Sequence, residues 1–330
     1  MKKFLLLILI VAAAAGGGLA YWAKQPILAG QQAPLPFAIE AGSSLAGSSE
    51  QIAAAGIPLD PTLFSLLARL TGKGSRIKAG SYELKPGASP LRLLNQLVRG
   101  EFAQESLTII EGWSFRQMRA AIAANPGLRH DTAALSDSEL MARISSDYAL
   151  PEGLFFPDTY LFAKGASDLQ IYKQAYATMI RKLGEAWELR DPSLPYRTPY
   201  EALTMASIVE KETGQKADRS MIAGVFVNRL KQGMPLQTDP SVIYGMGERY
   251  HGNLRKIDLQ TDTPHNTYTR RGLPPTPISL PGAASLAAAL APEHTDAVYF
   301  VARGDGSSQF SNNLSDHNRA VNLYQRLTQR

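Results

Sequence analysis

The chain has 330 residues, is 45% hydrophobic and carries a net charge of +5, which suffices for a sizeable core and two domains. It contains no cysteine, so disulfide scaffolds, thiolate metal sites and cysteine nucleophiles are excluded. Its 34 basic and 29 acidic residues form no basic block interleaved with aromatics, and nucleic acid is not an expected partner.

The chain opens with "MKKFLLLILIVAAAAGGGLAYWAK", an uncharged run from Phe4 to Ala23 flanked by Lys2, Lys3 and Lys24. About twenty apolar residues cross a bilayer. Lys2 and Lys3 suit the cytoplasmic side, and Tyr21 and Trp22 suit the far interface. Residues 1–24 therefore read as a cytoplasmic tip and a single-pass inner-membrane anchor, with the rest of the chain in the periplasm. The alternative is a cleaved signal peptide with Ala13 and Ala15 at its processing site, although an h-region is usually shorter than this run. "QPILAGQQAPLP", spanning 25–36, reads as a linker that clears the membrane surface.

Residues 37–105 read as a β-α-α-β module and a following helix. "FAIEAGSS" gives a strand and turn, "SLAGSSEQIAAAGI" and "DPTLFSLLARLTG" give helices, and "IKAGSYELKPGAS" gives a second strand. "SPLRLLNQLVRG" has apolar residues at helical spacing. The order recurs over 106–170, with "SLTIIEGWS" as a strand, "FRQMRAAIAAN" and "SDSELMARISSDY" as helices, and "GLFFPDTYLFAKGAS" as extended chain. "YELKPGAS" and "YLFAKGAS" close the two units and each leads into a helix, a short internal similarity that reads as a repeat.

Further along, "TPYEALTMASIVEKETG" reads as a helix capped by Thr198, with Pro199 at its first position, Glu201 completing a capping box and Gly214 as its stop. "KADRSMIAGVFVNRLKQG" reads as another helix, ended by Gly233. From Met234 to Gly282 the chain is dense in Pro, Gly, Thr, Asn and Tyr and reads as loop. A strand "AVYFVA", a "RGDGSS" turn, a short strand "QFS" and a helix from about Ser315 complete an α+β chain, with 106–330 as the second domain.

The chemistry points first to Glu210 and Glu212, at the end of an apolar helix. At about 100° per residue they lie roughly 200° apart and cannot converge on one substrate atom, which argues against a paired-carboxylate glycosidase built from these two. Glu212 continues the bulky row Met205, Ile208, Val209, whereas Glu210 continues the smaller row Leu203, Ala206, Ser207. A carboxyl ending an apolar stripe is poorly solvated and usable as a general acid. A solvated Glu-Lys-Glu helix end is the plain alternative. The loops offer Gln237, Thr238, Tyr244, Asn266 and Tyr268, which bind sugars by hydrogen bonds and ring stacking. His251 and His265 are far apart, and HExxH, GxSxG, P-loop and Rossmann patterns are missing, so no metal and no cofactor is expected.

"MASIVEKETG", "LQTDPSVIYGMG", "HNTYTRRGLPPTPISLPG" and "YFVARGDGSSQFSNN" resemble the endolytic murein transglycosylase family, also called MltG or YceG-like. The resemblance covers nearly the whole chain. It implies a membrane anchor, a LysM-like β-α-α-β module and a catalytic domain with a lysozyme-like helix that carries the catalytic glutamate. It also implies cleavage of nascent peptidoglycan glycan strands at the β-1,4 bond from N-acetylmuramic acid to N-acetylglucosamine. No water is used, and a 1,6-anhydro-muramyl end is left. Strand-making synthases are the partners this implies. The Glu212–Thr213 pair resembles the Glu-Ser pair of related lytic transglycosylases, which favours Glu212 over Glu210. Two rivals are a non-catalytic wall-binding protein and a hydrolytic muramidase with Asp239 or Asp262 as a second carboxylate.

Overall fold

The computed structural model describes residues 2–28, 33–212, 215 and 217–326. The chain divides into two units, residues 1–105 with 161–166, and residues 106–160 with 167–330.

The first unit begins with α1 (Lys2–Trp22), whose apolar side chains from Phe4 to Val11 are exposed. At about 1.5 Å per residue it is roughly 31 Å long, which fits a single membrane crossing. Behind it, β1 (Leu35–Ile39), α2 (Leu45–Ala54), α3 (Pro61–Leu70) and β2 (Gly80–Leu84) follow in the expected β-α-α-β order, ahead of α4 (Pro90–Arg99). β1 and β2 pair antiparallel with Phe37 opposite Tyr82, and the two rings stack at 5.5 Å. Asp60 caps α3 by accepting from the Thr62 and Leu63 amides, and Pro61 supplies the fixed φ suited to a first helical position.

The expected linker 25–36 differs from a free spacer at its start. The Ile27 amide donates to the Ala88 carbonyl at 2.8 Å, the Leu91 amide donates to Ala23, and Ala23 and Leu28 belong to the module's core with Phe64, Leu67 and Leu93. Apolar Ile27 and Leu28 have a core to join. Residues 29–32 of the linker lie outside the described residues.

The second unit contains most of β3 (Gln104–Thr108), then α5 (Phe115–Ala123), β4 (Leu128–Arg129), α6 (Asp137–Ile144), the start of β5 (Thr159–Ala163) and the end of β6 (Ala166–Ser167). The Ser114–Gln117 and Ser136–Glu139 pairs each close a reciprocal capping box at the starts of α5 and α6. The helix expected after "YLFAKGAS" is long, α7 (Asp168–Glu188), and buries Ile171, Tyr172, Ala175, Met179 and Leu183 along one face. α8 (Pro199–Glu212) is central, and α7, α9 (Arg219–Lys231) and α12 (Ala283–Leu290) pack against it. Gly224 lets α9 approach closely, because a β-carbon there would meet the Glu293 carbonyl at 2.6 Å. β7 (Tyr299–Ala302) and β8 (Ser308–Ser311) form the expected hairpin about the "RGDGSS" turn, and α13 (Leu314–Val321) follows.

Two expectations need correction. The loop expected from Met234 to Gly282 contains two short helices, α10 (Asp239–Met246) and α11 (Lys256–Gln260). Pro240 starts the first by favouring an N-terminal helical position. The capping box of α8 is only half formed. Thr198 accepts from the Glu201 amide, but the Glu201 carboxylate reaches back to the Arg197 amide, not to that of Thr198.

Candidate active site

α8 is buried on every side from Ala202 to Val209. It is a core helix without an exposed face, so the two apolar rows leading to Glu210 and Glu212 do not differ in burial. The partners at the helix end separate the two acids. Glu210 Oε2 accepts the Gly282 amide at 2.9 Å, just ahead of α12, and Oε1 lies 3.5 Å from Arg219 Nη2. Both side chains of that pair are almost completely enclosed. Glu210 is therefore an internal tie, not a solvated decoration, while Lys211 between the acids is exposed.

Glu212 leaves the helix on the other flank and is half-buried. Desolvation is the main influence and pushes its carboxyl up to about 7 from 4.5. The Thr238 hydroxyl opposes this, the negative charge of Asp239 adds to it, and the Arg229 guanidinium again opposes it. Thr238 is buried, and its hydroxyl makes no hydrogen bond of ordinary geometry among the described residues, although it sits near enough to Glu212 to stabilise the ionised form. Thr213 and Gly214, the expected partner and helix stop after Glu212, lie outside the described residues.

Two loop segments hold these neighbours in place. Thr267 is the buckle. Its carbonyl accepts the Gln237 amide at 3.1 Å, and its hydroxyl accepts the Thr238 amide at 3.0 Å and lies 2.9 Å from the Ser241 hydroxyl. Gln237 is held at φ 55, a left-handed conformation unfavourable for a residue with a β-carbon, and its side chain is exposed. Tyr268 donates its hydroxyl to Asp239 Oδ1 at 2.6 Å and interacts electrostatically with Glu212 and Arg229. Gln237, Thr238 and Tyr268 thus gather with Asp239 around the flank of Glu212.

Asn266 and Tyr244 are placed differently. Asn266 is 0% exposed. Its amide donates to the carbonyls of Thr261 at 2.7 Å and Leu259 at 3.1 Å, and its carbonyl accepts the Tyr268 amide at 2.8 Å. Fully enclosed and saturated, it pins the end of α11 to the Tyr268 segment and is not available to a sugar, contrary to expectation. Tyr244 donates to Glu152 Oε2 at 3.1 Å and meets the His265 ring edge-on at 4.8 Å. It belongs to a second polar cluster. Asp262 is paired with Arg270 at 2.8 Å, and that hydrogen bond holds its carboxyl below the usual range.

Sequence reasoning missed Arg229 and Glu152. Arg229 on α9 is buried, donates to Val298 at 2.7 Å and Leu236 at 2.8 Å, and lies 5.3 Å from the Tyr299 ring. It anchors the start of the Gln237 loop and brings positive charge beneath Glu212. Its one sequence signal is a cation beside Asn228 at the end of the apolar run "IAGVFV". Glu152 is buried, accepts the Phe115 amide at 2.9 Å, and is pushed up to about 7, chiefly by burial. Among the described residues no group of acids and histidines could hold a metal ion.

A desolvated carboxyl at the end of a core helix, with Asp239 and a buried hydroxyl beside it, has the chemistry of an acid–base group. The chain matches the YceG-like family over residues 37–323 and belongs to it. It is 31% identical over 319 residues to the endolytic murein transglycosylase of Bacillus subtilis (strain 168), covering 91% of this chain and 87% of that protein. It is 28% identical over 330 residues to the endolytic murein transglycosylase of Streptococcus pneumoniae (strain D39), covering 90% of this chain and 59% of that longer protein. A crystal structure of a yceG-like protein from Listeria monocytogenes is 30% identical, superposes with a TM-score of 0.56, and is matched over 88% of this chain and 99% of that one. The family expected from the sequence motifs is the one found.

Proposed function

We propose that the protein is a peptidoglycan lytic transglycosylase, a carbon–oxygen lyase in which Glu212 serves first as acid and then as base. The relatives named endolytic murein transglycosylase support the activity. The observation that carries the residue assignment is the Glu212 carboxyl, pushed up to about 7 by desolvation, beside Asp239 and the buried Thr238 hydroxyl.

A carboxyl with that pKa is substantially protonated at neutral pH, so it can give a proton to the glycosidic oxygen as the bond from muramyl C1 breaks. The departing N-acetylglucosamine keeps that proton on its O4. The resulting carboxylate takes the proton from the muramyl C6 hydroxyl as O6 bonds to C1. The 1,6-anhydro ring closes, Glu212 is protonated again, and no water enters. The negative Asp239, held by Tyr268, favours the positive charge that develops at C1 between the two steps. Gln237 and Tyr268 supply hydrogen bonds and a ring face to the sugars, and the buried Thr238 hydroxyl, contrary to expectation, faces Glu212 and not the sugar.

In this reading α1 anchors the protein in the inner membrane with both units in the periplasm, the β-α-α-β module binds glycan as LysM modules do, and cleavage limits strand growth beside the synthases. A hydrolytic muramidase is the second reading, and the proximity of Asp239 to Glu212 favours it over a design using Asp262. Mass spectrometry of products from purified sacculi separates the readings. Anhydro-muramyl ends are expected, reducing ends would identify hydrolysis, and intact sacculi would leave only a binding role.

A further inference from the structure

Among the described residues, the face of α3 that points away from its own core is exposed. Phe64, Leu67 and Ala68 are buried in the module, whereas Leu63, Leu66 and Leu70 are 38%, 44% and 70% exposed. Their spacing puts the three on one side of the helix. Within the same unit they line an apolar groove of about 520 Å³ together with Gly16, Leu19 and Trp22 of α1. Three exposed leucines in one row, continuous with an apolar helix, form the kind of patch that marks an interaction surface.

Charge narrows the occupant. Between Asp60 and Glu83 the sequence holds no acid and four cations, Arg69, Lys73, Arg76 and Lys78. Arg69, Arg76 and Lys78 are exposed, and none of the four forms an ion pair among the described residues. An apolar helix face bordered by cations and free of acids matches the interface of an anionic bilayer. Depth agrees, because the groove shares the last third of α1, the part nearest the outer boundary of the membrane. The module is also bonded to the end of α1 through Leu91 to Ala23 and Ile27 to Ala88, so α3 does not swing freely.

We infer that α3 is a second membrane contact, with Leu63, Leu66 and Leu70 set into the outer leaflet beside α1 and Arg69 and Arg76 against the phosphates of anionic lipids. The inference rests on the reading of α1 as a membrane span. It gives the first unit a fixed seat on the bilayer, so that the module meets glycan strands at a set height above the lipid.

The chain's lack of cysteine makes the test direct. Full-length protein carrying Leu66→Cys, Ile8→Cys or Glu50→Cys is labelled with one fluorophore and placed in vesicles of phosphatidylethanolamine and phosphatidylglycerol. Ile8 lies in α1, and Glu50 is an exposed acid on α2. Quenchers in the acyl chains should reach the Ile8 label deeply and the Leu66 label about 5–10 Å into the headgroup boundary, the depth of an interfacial helix. The Glu50 label should respond only to a quencher in water. Leaving out phosphatidylglycerol should weaken lipid quenching at Leu66, and an unchanged signal would overturn the anionic contact. A Leu66 label open to water while the Ile8 label sits in lipid overturns the inference and leaves the span standing. A Leu66 label shielded from both quenchers means that protein covers the face and rejects lipid as the occupant. An Ile8 label open to water overturns the span and the inference with it.

Discussion

Replacing Asn266 with alanine removes the pin between α11 and the Tyr268 segment. Three well-formed hydrogen bonds disappear, to the Thr261 carbonyl, the Leu259 carbonyl and the Tyr268 amide. At a net value of about 1 kcal/mol each, the loss is about 3 kcal/mol, and more where a buried partner stays unpaired. For a domain of this size about 1 kcal/mol moves the melting temperature by roughly 2–4 °C, so a fall of roughly 6–12 °C is expected. Differential scanning calorimetry on the purified protein measures it. Turnover per folded molecule should fall as well, because Tyr268 loses its support and with it the hold on Asp239. If Asn266→Ala melts within a degree or two of the wild type yet binds glycan poorly, Asn266 contacts the sugar and the account of this loop is wrong.

Gln237→Gly relieves left-handed strain of about 1 kcal/mol. It should melt at or above the wild-type temperature while turnover falls; a lower melting temperature with full turnover would make Gln237 a structural residue. Glu210→Gln leaves the enclosed Arg219 without its counter-charge and should cost about 2 kcal/mol in chemical denaturation, while activity per folded molecule persists. Full stability would remove the internal tie from the account. Glu152 and Glu212 each have a folded pKa raised to about 7 from 4.5. The stability they contribute is fully present below the unfolded value and is lost as pH rises through the folded one. Glu152→Gln should therefore flatten the decline in stability between those two pH values, and an unaltered slope would show that the Glu152 carboxyl is not desolvated.

The first unit and the closing hairpin of the second were legible because their signals are local. Asp60–Pro61 marks the start of α3, Ser89 and Gly100 bracket α4, and the glycines about Asp305 announce the hairpin between β7 and β8. "TDPS" at the start of α10 was a usable start signal in a stretch whose glycines and prolines read as loop. The site was half legible. The divergence of Glu210 and Glu212 follows from helical geometry, but which of them is tied down depends on Arg219 and Gly282 folding back from elsewhere. The same limit hid Arg229 and Glu152, whose partners lie up to 92 residues away. Asn266 shows the converse: an amide in a polar loop looks like a sugar ligand until its hydrogen bonds are found to be internal.

The assignment of acid and base to a single residue is tested most directly by the products of Glu212→Gln acting on purified sacculi, measured by mass spectrometry beside Glu210→Gln and corrected for folded protein. Glutamine keeps the shape and cannot donate an acidic proton. General acid–base catalysis contributes about 10²–10⁴-fold, so anhydro-muropeptide release should fall by that factor or more in Glu212→Gln, with glycan binding retained. Glu210→Gln should release the same products at most of the wild-type rate. Wild-type release by Glu212→Gln would contradict the account.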